Sequence, residues 1–171
     1  PSPLTLTLTL TLTQVGEISS PSSIAVTKGT ASTLGRVYAA ANFGSHDRRL
    51  MAFDPQSFAL TRTSDVRLDA PEGMVAAEGK IFVVDTGQHR VVAFDGETLE
   101  RVGSYPPASL SSGNVFMAGG GMACTWKKLS SPQDIAYYQG ELFISDTRND
   151  RIQVGYACVR MHAHVHAYMP A

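Results

Sequence analysis

Two segments of the chain set an aspartate and an arginine at the two ends of one short loop. Asp85-Thr86-Gly87-Gln88-His89-Arg90 and Asp146-Thr147-Arg148-Asn149-Asp150-Arg151 share the pattern Asp-Thr-x-x-x-Arg. A carboxylate in that place can accept backbone N–H groups, and a guanidinium can bridge back to it or to a neighbouring carbonyl. The same pair could serve a charged ligand. Its repetition favours a folding device, because a catalytic constellation rarely recurs in every unit while a structural clasp must. His162, His164 and His166 alternate near the C-terminus, with Cys158 nearby. On an extended strand that spacing turns three imidazoles to one side, the donor set of a divalent metal such as zinc, copper or nickel. A structural metal site wants a closed shell of four ligands, and terminal segments off a repeat are commonly poorly ordered. His89 reads as a solvent-facing loop residue. Ser45-His46-Asp47 spells the letters of a catalytic triad, but adjacent residues cannot supply the convergent geometry of one. Gly119-Gly120-Gly121 lacks the Lys-Ser/Thr of a phosphate loop and reads as a turn.

The Asp and Arg positions belong to a larger unit. Residues 70–95 read APEGMVAAEGKIFVVDTGQHRVVAFD and residues 131–156 read SPQDIAYYQGELFISDTRNDRIQVGY. Pro71 matches Pro132, Gly79 matches Gly140, Asp85 matches Asp146 and Arg90 matches Arg151, each at an offset of 61 residues. Between these anchors lie the apolar pairs Ile81/Leu142, Phe82/Phe143 and Val83/Ile144. A degraded copy runs from Pro21-Ser22-Ser23-Ile24-Ala25-Val26 to Arg49-Leu50-Met51-Ala52-Phe53-Asp54. It lacks the aspartate. Turn chemistry at Lys28-Gly29, Asp54-Pro55 and Asp95-Gly96 separates short apolar runs. Strands are predicted over residues 24–27, 36–41, 50–54 and 58–62, then 74–77, 80–85, 90–94 and 100–104, then 134–138, 141–146 and 151–156. No segment has helical periodicity over a useful length.

These copies resemble the NHL repeat, a β-propeller unit with the pattern Pro-x-Gly/Asp-Ile-Ala, then Gly-x-Leu/Ile-Tyr/Phe-Val-x-Asp-Thr/Ser-x-Asn-x-Arg-Ile/Val. The copy at 131–156 fits almost fully, and the copy at 70–95 carries Gln88 where Asn is usual. The resemblance implies an all-β fold: a partial β-propeller of about three four-stranded antiparallel blades at residues 20–63, 65–105 and 131–156. A low-complexity Leu/Thr segment (1–19) precedes it and an irregular tail (157–171) follows. Three blades are fewer than the four to eight of a closed ring, so a fragment of a six-bladed type is expected.

In such a propeller the first strand of each blade lines the channel. The channel-facing candidates are then Ser23, Gly73 and Asp134, the residues two places after each blade-opening Pro. Amidating lyases and gluconolactonase-like hydrolases, which share the fold, gather several His or carboxylate side chains on a metal there. Only Asp134 in this column is ionisable, so their site does not carry over. The reading is a non-catalytic scaffold for protein or ligand interaction, with the connection at 106–128 as a contact surface. The alternative is part of a metal-dependent propeller enzyme, with a divalent metal as its cofactor.

Composition narrows the partners. The chain has 171 residues, 43 % hydrophobic and 17 % charged, and a net charge of −1. An average soluble protein has about 25 % charged residues. With 14 Lys plus Arg against 15 Asp plus Glu, neither nucleic acid nor an anionic membrane is an expected partner. Two cysteines, Cys124 and Cys158, build no disulfide framework and leave the compartment open. No basic n-region marks a signal peptide. Residues 4–13 alternate Leu and Thr, which fits either an amphipathic strand or plain low complexity. Open propeller edges predict self-association, with Leu142, Ile144 and Ile152 meeting water.

Overall fold

The computed structural model describes residues 20–29, 35–41, 48–106 and 127–156. The Leu/Thr segment, most of the 106–128 connection, both cysteines, and His162, His164 and His166 lie outside these residues. Among these residues, eleven strands form three antiparallel sheets in chain order. Sheet 1 holds β1 (Pro21–Val26), β2 (Val37–Ala41), β3 (Arg49–Phe53) and β4 (Leu60–Arg67). Sheet 2 holds β5 (Pro71–Ala77), β6 (Lys80–Asp85), β7 (Arg90–Asp95) and β8 (Arg101–Tyr105). Sheet 3 holds β9 (Pro132–Tyr138), β10 (Glu141–Asp146) and β11 (Arg151–Tyr156). Each sheet is a meander, every strand pairing with the next in sequence. Among the described residues the third sheet has three strands rather than the expected four, and no closed barrel or propeller is formed. No helix there is long and apolar enough to cross a membrane.

Period-two alternation explains how the sheets stack. Along β6 and β7, Ile81, Val83, Val92 and Phe94 turn to one face and join Tyr38, Ala40, Leu50 and Ala52 of sheet 1. Their neighbours Phe82, Val84, Val91 and Ala93 turn to the other face and join Ile135, Leu142 and Ile144 of sheet 3. Sheet 2 is therefore apolar on both faces. That is why its inner strands β6 and β7 carry continuous runs of apolar residues with no polar alternation, Ile81–Val84 and Val91–Phe94. The sheets approach one another chiefly through their first strands, β1 against β5 and β5 against β9. A smaller cluster of Ala39, Ala41, Met51 and Phe53 lies on the face of sheet 1 turned from sheet 2.

Two expectations are corrected. Strand β4 runs to Arg67, so the first sheet extends past 63 into the stretch assigned to the second. The cause is Ser64, a buried residue whose hydroxyl accepts the Leu50 N–H at 3.2 Å and donates to the Val66 carbonyl at 3.2 Å. This anchors a strand that carries two extra residues between its pairings Met51↔Thr63 and Arg49↔Arg67. Second, Leu142 and Ile144 do not meet water; they are fully buried against sheet 2, and Ile152 lies on the opposite, exposed face.

The two aromatic residues at one repeat position should then differ in weight. Phe82→Ala, between sheets 2 and 3, should cost about 3–5 kcal/mol in urea unfolding at submicromolar concentration. Phe143→Ala, half-buried on the outer face, should cost less than half as much. Equal costs would contradict the stacking described.

Candidate functional site

The Asp-Arg loops are built alike. After β6 and after β10 the chain makes one 3-10 turn, Thr86–Gln88 and Thr147–Asn149. Each turn is closed by a left-handed residue, His89 at φ 53° and Asp150 at φ 48°. These turns were not legible from periodicity, being too short to show one. Asp85 is wholly buried. Its Oδ1 accepts the Asp69 N–H at 2.5 Å and its Oδ2 accepts Arg90 Nε at 2.8 Å. Asp146 repeats this: Oδ1 accepts the Ser130 N–H at 2.6 Å, and Oδ2 accepts Arg151 Nε and Asn149 Nδ2, both at 2.8 Å. Asp69 and Ser130 lie just before the first strands of their sheets. Each carboxylate thus fastens the backbone that leads into its own sheet. Asn149 and Arg151 also donate to the Lys128 carbonyl, at 3.1 and 2.9 Å, pinning the end of the connection.

Sheet 1 shows what happens without the carboxylate. The residue opposite Pro21 is Ala41, where Asp85 stands opposite Pro71 and Asp146 opposite Pro132. Arg49, the counterpart of Arg90 and Arg151, donates instead to the Ser64 carbonyl at 3.1 Å. Gly87 and Arg148 mark a second coupled difference. A Cβ on Gly87 would stand 2.5 Å from Asp69 Oδ2, whereas Arg148 sits beside the smaller Ser130. Asp69 is itself held by Arg48 Nη1 at 2.7 Å.

The column two residues after each Pro lies on a β-bulge. In β1 the pairing slips between Pro21 and Ser23, in β5 between Pro71 and Met74, and in β9 between Pro132 and Ile135. All three first strands carry one extra residue at the same place, and a bulge re-aims the side chains around it. Ser23 is half-buried in β1, Gly73 half-buried in β5, and Asp134 exposed in β9. Two of the three meet. A Cβ on Gly73 would fall 2.6 Å from both Cα and Oδ1 of Asp134, so glycine here admits the next sheet's backbone. Asp134 Oδ1 accepts the Ile135 N–H at 2.8 Å, and the Asp134 N–H reaches Ser145 Oγ at 2.7 Å. Residue-by-residue comparison missed Glu72 and Gln133, which share these bulges; the signal was the fixed Pro-x-x-Ile/Met spacing. Thr147 donates to Gln133 Oε1 at 3.0 Å.

His89 does more than face solvent: its Nδ1 accepts the Ser131 N–H at 2.9 Å. Beside it, the Thr86 hydroxyl donates to the Pro132 carbonyl at 2.6 Å. Both bonds run from the sheet 2 loop to the start of sheet 3. At the other strand ends, Tyr38 Oη donates to the Gly96 carbonyl at 2.8 Å and Tyr137 Oη donates to Glu78. No three His, Cys, Asp or Glu side chains converge as a metal would require, among the described residues.

No protein-family model matches the chain, and no curated protein matches it. Among solved structures it is similar to the computationally designed Ika4 protein, with a TM-score of 0.51 and 13 % identity over 85 % of this chain and 99 % of that one. The computationally designed Ika8 protein gives a TM-score of 0.46 and 13 % identity over 80 % of this chain and 45 % of that one. The first likeness is one of fold alone, and the all-β architecture of successive antiparallel sheets is what it shares.

Burial pushes the Asp85 carboxyl above the ordinary carboxylate range; the Asp69 N–H and the Arg90 guanidinium pull the other way without cancelling it. The folded chain then holds this proton more tightly than the unfolded chain. Its contribution to stability is full below the unfolded value and is lost as pH rises through the raised folded one. Asp85→Asn should flatten that part of the stability profile, and an unchanged slope would count against it. Asp146→Ala should cost about 1–3 kcal/mol, because the Ser130 N–H loses its acceptor. A change within error would remove the structural role.

Proposed function

We propose that the chain is a β-propeller-type scaffold of NHL-like repeats whose function is to hold protein partners rather than to catalyse. One observation carries the reading: three first strands lie side by side, each bulged at the same place. Their bulge residues, Ser22, Ser23, Glu72, Gln133 and Asp134 with Gly73 between them, stand on one stack of sheets. The sheets act as blades in this reading. The Asp-Arg pairs are taken up internally by linker backbone, whereas the bulged strand ends carry polar groups at the surface. Glu72, Gln133 and Asp134 offer acceptors, and their mix of carboxylate and amide suits a polar or basic peptide surface. Rigid elements that present such groups are suited to recognition.

The test uses an immobilised wild-type chain and the variant Glu72→Ala/Gln133→Ala/Asp134→Ala against peptides of defined composition. Basic peptides should bind the wild type, and the triple variant should lose at least tenfold in affinity with its unfolding midpoint nearly unchanged. Binding that survives the triple variant, or none to any peptide, would overturn the reading. Magnesium, calcium and zinc titrations should show no saturable heat with the wild type; a saturable site lost in Asp134→Ala would favour metal-assisted chemistry instead.

A further inference from the structure

The residue that precedes the loop arginine has the same backbone in all three sheets. Arg48, His89 and Asp150 stand before Arg49, Arg90 and Arg151, and all are left-handed, with φ of 57°, 53° and 48°. In sheets 1 and 2 this residue reaches forward to the chain that leads into the next sheet. Arg48 Nη1 donates to Asp69 Oδ1 at 2.7 Å, just before β5. His89 Nδ1 accepts the Ser131 N–H at 2.9 Å, just before β9. At the repeat offset of 61 residues Asp69 matches Ser130, so the two targets are neighbours in the unit. One loop position thus fastens sheet 1 to sheet 2 and sheet 2 to sheet 3.

The two fastenings differ in chemistry. The first joins a guanidinium to a carboxylate, and a guanidinium keeps its charge across the physiological range. The second needs a lone pair on a ring nitrogen. Nδ1 accepts only while it carries no proton, so the neutral ring that makes this bond holds its proton on Nε2. A proton added at Nδ1 turns the acceptor into a donor that faces another donor, and the Ser131 N–H loses its partner. Histidine is the side chain type that changes charge between about pH 5 and pH 8.

The charged groups around the ring are engaged with one another. On its own loop Asp85 holds Arg90. Asp69, which stands beside Gly87, is held by Arg48. Across the linker Asp146 holds Arg151 and the Ser130 N–H. Arg148, exposed on the turn there, donates its backbone N–H to the Ser130 carbonyl at 3.1 Å, and Asp150 beside it is exposed. Linker residues Ser130, Ser131 and Pro132 carry no ionisable side chain. Among the described residues no carboxylate pairs with His89. A charged ring therefore finds no partner that would repay the lost bond.

We propose that His89 is an acid-released fastening between sheets 2 and 3. Neutral, it ties Ser131 to the sheet 2 loop; protonated, it frees Ser131 while Asp146 keeps the adjacent Ser130. The Thr86 hydroxyl stays on the Pro132 carbonyl and the apolar faces stay packed, so acid loosens the junction without parting the sheets. The junction between sheets 1 and 2, built on Arg48, does not respond. The unfolded chain takes up the same proton with no bond to lose, so acidification through the histidine range lowers stability. The device does not depend on the function proposed for the bulged strand ends.

Amide exchange of the whole chain, read as protection relative to the intrinsic rate at each pH, tests this. Between about pH 8 and about pH 5 the protection of Ser131 should fall about fivefold, the weight of one hydrogen bond, and that of Ser130 should hold. His89→Asn places an amide oxygen at the same distance along the side chain and tolerates the left-handed backbone. It should keep Ser131 protected across the range, and its stability relative to wild type should rise on acidification; the Asp85 contribution is common to both and cancels. The ring itself needs no variant: nitrogen NMR of the wild type should show neutral His89 protonated on Nε2, with the Ser131 amide shift titrating in step with the ring. Three results would each overturn the proposal: a neutral ring protonated on Nδ1, Ser131 protection that does not change with pH in the wild type, or the same acid-dependent loss in His89→Asn.

Discussion

The structure depends on a buried carboxylate that catches a backbone N–H before the first strand of its own sheet. Burying an ionised group is costly unless its acceptor positions are filled. Asp85 and Asp146 each offset that cost with one linker amide and one guanidinium, in part only for Asp85. The bond fixes where the linker ends, and hence where Pro71 and Pro132 stand opposite their aspartates. The bulge that follows each Pro is then held in place, together with the residues it re-aims. Sheet 1 keeps the Pro and the bulge with Ala41 in place of the aspartate. The carboxylate therefore secures this geometry in sheets 2 and 3 without being needed to define the strand order.

Stacking follows from the same unit. Sheet 2 lends one alternating row to the sheet before it and one to the sheet after it, so it is covered on both faces by its neighbours. Polar bonds at the two strand ends align the layers: Tyr38 and Tyr137 at one, Thr86 and His89 at the other. A rigid stack whose every layer touches only its neighbours is well suited to presenting strand ends, and a repeat of this kind owes its stability to interfaces more than to single units.

The sequence carried most of the architecture because its signals were local. Asp-Thr-x-x-x-Arg, the Gly79 and Gly140 turns and the Pro anchors each act within a few residues, and the strands of sheets 2 and 3 fall within two or three residues of where those signals put them. What was not legible depended on partners far along the chain. The length of β4 rests on Ser64 reaching β3. The faces of Leu142 and Ile152 could be told apart only once sheet 2 was known to lie on one side. Gly73 looked like a blank in its column, and its reason is the backbone of Asp134, 61 residues away. The NHL resemblance rests on residues, and function rests on surface groups whose partner no local pattern names.

The central claim is that the aspartates are clasps on linker backbone. Native-state hydrogen exchange of the Asp69 and Ser130 amides tests it most directly. Both lie outside the strands and would exchange at loop rates if the contacts were incidental. The account predicts protection comparable to the core strands for both, and loss of Ser130 protection alone in Asp146→Ala. Fast exchange of both amides in the wild-type chain would contradict it.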